Sequence, residues 1–278
     1  MEHSSDPVLP AGVRCSVGDL CRWLGAAGPV CSGDALLFPT RRVRAGGHLV
    51  HEGAPFENLY FVGAGTFKCV QTDQDGYELV QAFALRGDSI GLDGYGTGRY
   101  LASAVALEDS VVAVLPWRDV AGVERGSTAL QDLLLRAASR ELQRKNAVLQ
   151  VMAAVGAEVR VARFLLQMTG RQAALGFSSH RVSLRMSRRD IASHLGIAHE
   201  TVSRSLSALA DWGYIRVSHR DVEILDAPAL AQFQRYTRKG HEPAAPWERP
   251  QAPARPWKAA DPRGRVPRAA PSASNGPA

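Results

Sequence analysis

The rhythm of apolar and polar positions changes along the chain, and each change marks a different kind of element. Residues 1–30 carry little periodicity and are rich in Gly, Pro and Ala, so they read as a loop with one helical turn around Val17–Leu24. From about Thr40 to Trp117 the pattern becomes short apolar runs separated by turn residues. Leu59–Val62, Thr66–Val70 and Glu78–Phe83 are rich in β-formers, with Gly63, Gly65, Asp73–Gly76 and Gly87-Asp88 between them. A further run, Ser103–Leu115, closes the series at Pro116. Short strands at close spacing with glycine turns predict an antiparallel barrel or jelly roll.

The second half follows helical spacing. Leu135, Leu142 and Leu149 recur every seven residues, with Ala138, Lys145 and Met152 as a second row offset by three. The two rows predict a helix over 126–155 carrying a two-stranded coiled-coil seam, interrupted once by Lys145. These six residues are the expected dimer interface. A helix lying on its own domain is the alternative, although the stretch is long for one small roll to cover. Residues 157–225 read as a compact helical domain that ends in a β-hairpin. Its expected helices are Ala157–Gly170, Ser187–Leu195 and Ala198–Trp212; its expected strands are Leu184–Met186, Tyr214–Val217 and Val222–Leu225. Beyond Gly240 prolines recur every few residues and apolar residues thin out, which predicts a disordered tail.

The sharpest local pattern runs from Ser187 to Leu206. Ser187 suits a helix cap, and Asp190 stands three residues on, where a carboxylate completes a capping box. Ile191 and Leu195 fall one turn apart, Ala192 is small where a second helix must cross, and Gly196 permits a left-handed turn. The next helix buries Val202, Leu206 and Leu209 and turns His199, Glu200, Ser203 and Arg204 outward. Helix, glycine turn, helix is the geometry that lays a second helix in the major groove of double-stranded DNA. Arg204 can donate twice to guanine, Glu200 can accept from a cytosine amino group, and Ser203 can bond either way or pack on a thymine methyl. Arg188 and Arg189, with Ser187 and Thr201, stand where phosphate contacts would fix the register.

Composition adds little to this picture and removes some alternatives. The 278 residues suffice for two modest domains, and a formal net charge of +6 suits an anionic partner. No apolar run approaches the roughly 20 residues of a membrane span. The N-terminal Met-Glu-His-Ser-Ser-Asp has no signal-peptide pattern, so the expected compartment is the cytoplasm. Four cysteines, Cys15, Cys21, Cys31 and Cys69, are then not expected to form a disulfide framework, but three lie within the first 31 residues, so metal or redox chemistry has to be weighed.

Over roughly Cys15 to Arg238 the chain resembles the Crp/Fnr family of bacterial transcription regulators. Three segments carry the likeness: Gly53–Lys68, the long helix before residue 155, and Glu200-Thr-Val-Ser-Arg204, whose Glu, Ser and Arg spacing is that of the fumarate-nitrate branch. The resemblance implies an α+β fold: a cyclic-nucleotide-binding-like jelly roll, a long dimerisation helix and a C-terminal winged helix-turn-helix. It divides the chain into a cysteine-containing segment (1–30), a jelly-roll sensor domain (31–122), a dimerisation helix (123–155), a DNA-binding domain (156–238) and a Pro/Arg-rich tail (239–278). It further implies a homodimer reading a palindrome of TTGAT-like half-sites through Glu200, Ser203 and Arg204, with RNA polymerase as a second partner. His199 stands where members of the family differ.

The chain departs from that family at its sensor chemistry. Oxygen sensors of the branch hold an iron–sulfur cluster on Cys-x2-Cys-x5-Cys plus one cysteine in the roll. Here Cys15 and Cys21 reproduce the second gap, but Gly12 and Ala113 stand at the two remaining positions, so no cluster is expected. Cys31 and Cys69 would have to substitute, or the thiols would have to act as a redox switch. Cyclic AMP is not expected either, because Arg99 is followed by Tyr100 rather than a hydroxyl residue of the Ser/Thr kind. A cupin-like metalloenzyme built on His48 and His51 is disfavoured, since residues three apart on a strand point to opposite faces.

Overall fold

A computed structural model describes residues 12–25, 36–123, 127–154 and 156–233. The tail at 239–278 and Cys31 lie outside the described residues. No described helix is long and apolar enough to cross a membrane.

Two antiparallel sheets form the roll. One has the order β1 (Arg14–Ser16), β2 (Leu37–Val43), β9 (Ser110–Pro116), β4 (Asn58–Ala64), β7 (Ser89–Ile90). The other runs β3 (His48–Val50), β8 (Ser103–Ala106), β5 (Phe67–Thr72), β6 (Glu78–Ala84). Between them Val62, Phe67, Tyr100 and Val112 form a buried core. The apolar run Ser103–Leu115 is therefore not one strand. Its first part pairs with β3 and β5, its second with β2 and β4, and the chain changes sheet at 107–109.

Nor is the N-terminal segment an appendage. β1 pairs with β2, and α1 (Val17–Trp23) opens with its own capping box, Ser16 with Asp19. Trp23 lies on Gly63 and, through its carbonyl, on Gly87; a Cβ at those positions would come within 2.6 and 2.1 Å of it. Cys15, Leu20 and Cys21 join Leu59, Phe61 and Leu115 in a second core cluster.

α2 (Trp117–Val123) leads to α3 (Thr128–Met152), which is capped by Ser127. The N-terminal half of α3 closes the second cluster with Leu130, Leu133 and Ala137. Leu130 and Leu133 are fully buried, each worth about 1.5–3 kcal/mol of apolar transfer. The heptad row faces the other way: Leu135, Leu142 and Leu149 are 71%, 62% and 67% exposed. The long helix thus lies on its own domain along one face and leaves the seam open along another.

α4 (Ala157–Ala174) runs one turn past the expected Gly170. It is followed by β10 (Arg181–Ser183), α5 (Arg188–Leu195), α6 (His199–Asp211), β11 (Ile215–Ser218), β12 (Asp221–Ile224) and α7 (Ala227–Phe233). The expected strand at Leu184–Met186 is displaced: pairing with β12 occupies Arg181–Ser183, while Leu184 and Met186 plug the helical core. The three-stranded wing has the order β10-β12-β11.

Roll and helical domain share one apolar cluster, from Val70, Val80 and Phe83 to Phe164, Leu165 and Leu206. The junction is built on an edge strand. β6 ends its sheet, so one side of its backbone lacks a strand partner, and α5 supplies the missing bonds. Ser193 Oγ donates to Glu78 O (2.9 Å) and accepts from Val80 N (2.9 Å), and His194 Nδ1 meets Val80 O at 3.2 Å. Lys68 Nζ bridges Glu78 (3.0 Å) and Asp190 of α5 (3.1 Å).

His194 is buried against Phe83 and Phe164, and this burial holds its pKa below the ordinary value of 6.5. The docked state therefore favours the neutral ring. Its contribution to stability is complete above about pH 6.5 and is lost as pH falls below that value, where the unfolded histidine takes up a proton first. Urea unfolding at pH 7 and pH 5.5 should show a drop in stability in the parent that shrinks in His194→Gln; equal drops in both proteins would count against this origin.

Candidate nucleic-acid interface

The corner between α5 and α6 is set by local chemistry. Ser187 Oγ accepts from Asp190 N (3.1 Å) and donates to Asp190 Oδ2 (2.6 Å), and the backbone N–H of Ser187 donates to the same carboxylate (2.9 Å). The carboxylate is held below the usual aspartate range despite burial, by the bonds from Ser187 and the charge of Lys68. Gly196 ends α5 in the left-handed region (φ 61°, ψ 42°), and the Ile197 N–H returns to Ala192 O. Arg160 of α4 steadies the turn by donating to Leu195 O (3.0 Å), and Met152, the last residue of α3, lies against Gly196.

α6 buries Val202, Leu206 and Leu209 and turns Glu200, Ser203 and Arg204 into solvent. His199 Nδ1 lies 3.3 Å from Glu200, and Arg204 donates to the half-buried Thr201 at 3.3 Å. The outward set thus occupies adjacent turns on a single exposed face. Ala198 caps α6 without a side-chain bond, which leaves the first-turn N–H groups open to an anion such as phosphate. An alanine at the cap position was the sequence signal for this, and the pattern reading passed over it.

The phosphate candidates differ among themselves. Arg189 is exposed, whereas Arg188 is half-buried and donates to His219 O (3.3 Å) at the wing tip. Ser187 commits its hydroxyl to the capping box. Ala138, Lys145 and Met152 are exposed alongside the leucines of the seam.

Of the cysteines weighed for sensor chemistry, Cys15, Cys21 and Cys69 lie among the described residues. Cys15 is buried, donates its thiol to Phe38 O (3.4 Å) and is pushed up to about 11 by burial and by Asp19. Cys69 is pushed up to about 12 by burial. Thiols this hard to ionise are slow nucleophiles. Ala113 is buried at the roll position, and among the described residues no three His, Cys, Asp or Glu gather as a metal site. Arg99, the cyclic-phosphate candidate, donates to Gly53 O (2.6 Å), and the Tyr100 ring packs on Gly91. The expectation that His48 and His51 point apart is corrected: β3 stops at Val50 with a register shift, and the two rings stack at 4.5 Å. They form an exposed pair without a third ligand.

The comparisons with known proteins agree with this layout. Residues 40–124 match the cyclic nucleotide-binding domain family, and residues 159–233 match the Crp-like helix-turn-helix domain. The transcriptional regulatory protein btr of Bordetella pertussis is 37% identical over 231 residues, covering 82% of this chain and 96% of its own. The fumarate and nitrate reduction regulatory protein of Escherichia coli is 30% identical over 205 residues, covering 74% of this chain and 82% of its own. The structure of FixK2 from Bradyrhizobium japonicum superposes with a TM-score of 0.64 at 28% identity, over 71% of this chain and 97% of that one. These relatives are regulators of transcription and not enzymes.

Substituting Gly196 by Val should cost about 1–2 kcal/mol for the left-handed backbone alone. It adds a clash with Met152, whose Cε lies 3.2 Å from the place a Cβ would take. Urea denaturation of Gly196→Val measures the loss; an unchanged midpoint would contradict the strained turn.

Proposed function

The chain belongs to the Crp/Fnr family of DNA-binding transcription regulators, and from that premise we propose that it acts as a homodimer reading a palindrome of TTGAT-like half-sites. The observation that carries this reading is the joint exposure of Glu200, Ser203 and Arg204 on α6, over a buried Val202, Leu206 and Leu209. Arg204 pairs with guanine, Glu200 accepts from a cytosine amino group, and Ser203 contributes a hydroxyl to the same edge. Arg189 and the open N-terminus of α6 take phosphates. Arg188 serves chiefly to tie α5 to the wing tip and adds charge near the backbone.

The open row of Leu135, Leu142 and Leu149 supports pairing through α3, since a monomer gains nothing from keeping three leucines in water at heptad spacing. Two copies joined there present their recognition helices about one helical turn apart, the spacing that palindromic half-sites require. The protein works in the cytoplasm and meets RNA polymerase at promoters, as family resemblance implies.

Arg204→Ala should weaken binding to the cognate palindrome by about 1–3 kcal/mol and relax discrimination at the paired guanine. Gel shifts at fixed salt read both effects, and unchanged discrimination would remove Arg204 from base reading. Replacing Leu142 and Leu149 together with Glu should give monomers by analytical ultracentrifugation and abolish palindrome binding. Dimers that persist would move the interface elsewhere.

A further inference from the structure

A cavity of about 440 Å³ lies where the roll, α3 and α4 meet. Its size falls in the range of small-molecule sites, about 300–1,000 Å³. The roll contributes Phe83, Leu85 and the turn carrying Asp88; α3 contributes Arg140, Arg144 and Val148; α4 contributes Phe164, Met168 and Arg171. Gly91 and Arg99, the nucleotide-site candidates of the roll, are not part of its wall. This is a separate space.

Its wall is apolar in the main but carries four guanidinium groups, of Arg86, Arg140, Arg144 and Arg171, against the single carboxylate of Asp88. Asp88 is already used three times, and one of its partners is the Leu85 N–H, which donates to it at 2.7 Å. One oxygen pairs with Arg144 at 2.6 Å and the other with Arg171, and Arg144 leans further on Glu141 at 3.0 Å. Arg140 differs from its neighbours. The carboxylate of Asp88 attracts it from a distance, but among the described residues no acceptor hydrogen-bonds it, and Arg144 and Arg136 repel it. His194, also in the wall, has its pKa lowered by burial and supplies no negative charge. A half-buried cation facing an apolar cavity, with its one nearby carboxylate committed to two other guanidinium groups, is short of the hydrogen-bonding partner that such groups ordinarily have.

We propose that this junction cavity binds a small organic anion, a carboxylate with an apolar body, whose charged head pairs with Arg140. The head supplies the acceptor that Arg140 lacks, and the body lies among Phe83, Phe164, Val148 and Met168. A charge-assisted, bidentate pair is what a guanidinium in such a setting favours. Because the roll, α3, α4 and α5 all contribute to the wall, an occupant links roll, long helix and DNA-binding domain, and it stabilises their docked arrangement by mass action. Binding here is independent of which operator α6 reads.

Isothermal titration calorimetry on the full chain without DNA tests the site, with hexanoate and octanoate as probes and the neutral hexanamide and octanamide as controls. Expected are binding of the carboxylates well above that of the amides and a rise in melting temperature with the carboxylates alone. Arg140→Gln should weaken carboxylate binding about tenfold or more and remove the preference over the amides. Ala147→Met, which fills the cavity from α3 without changing charge, should block both carboxylates even if the arginine variant fails to fold. Equal binding of acids and amides, no binding of either acid, or undiminished binding in Ala147→Met would each overturn the proposal.

Discussion

The arrangement of the molecule depends on how one exposed sheet edge is satisfied. β6 ends its sheet with backbone groups that have no neighbouring strand, and the first helix of the DNA-reading corner completes them through Ser193 and His194. An unpaired edge invites association with other chains, and here a helix of the same chain covers it. The consequence reaches α6. Because α5 is fixed to the roll and turns into α6 at Gly196, the placement of Glu200, Ser203 and Arg204 is set from the roll outward. The ion pair of Lys68 with Asp190 couples the same two bodies through the carboxylate that completes the capping box of α5.

A second connection runs through Asp88. Asp88 follows the strand that α5 covers, and it holds Arg144 of the long helix and Arg171 of α4 together. Two guanidinium groups, 56 and 83 positions along the chain from Asp88, therefore converge at one carboxylate. Removing that carboxylate would leave Arg171 without a carboxylate partner and Arg144 with Glu141 alone, and an unpaired buried charge costs more than the pair itself is worth. The two connections bracket the apolar cluster shared by the roll and the helical domain, so the sensor fold and the DNA-reading fold pack as one body.

How far the sequence could be read follows from the range of each interaction. The corner was legible because its determinants are local: Ser187 with Asp190 three residues on, Gly196 at the turn, Ile191 and Leu195 one turn apart. The heptad leucines were legible for the same reason, although the pattern alone left open whether α3 lies on its own roll or on a partner; its faces are divided between the two. The Ser103–Leu115 run was misread because the polar break at Glu108-Asp109-Ser110, where the chain changes sheet, was counted as part of one run. Leu184 and Met186 alternate like a strand but serve as core plugs, and His51 left the strand that alternation assumed. The clasp at Asp88 and the covering of β6 could not be anticipated from spacing at all, since their partners stand tens of residues apart.

The long helix has one more implication. Its own domain anchors it chiefly through Leu130, Leu133, Leu134 and Ala137; beyond them, Val151 is the next buried residue of the helix. The distal half, including the end that touches Gly196, is held to its own subunit more by polar contacts, Arg144 with Asp88 and Gln167 with Ala147 O, than by apolar burial. Whatever lies along the leucine row adds the apolar support that this half lacks. The abundance of the protein in the cell then becomes a control variable in itself, since dilution would loosen the stem on which the reading corner rests.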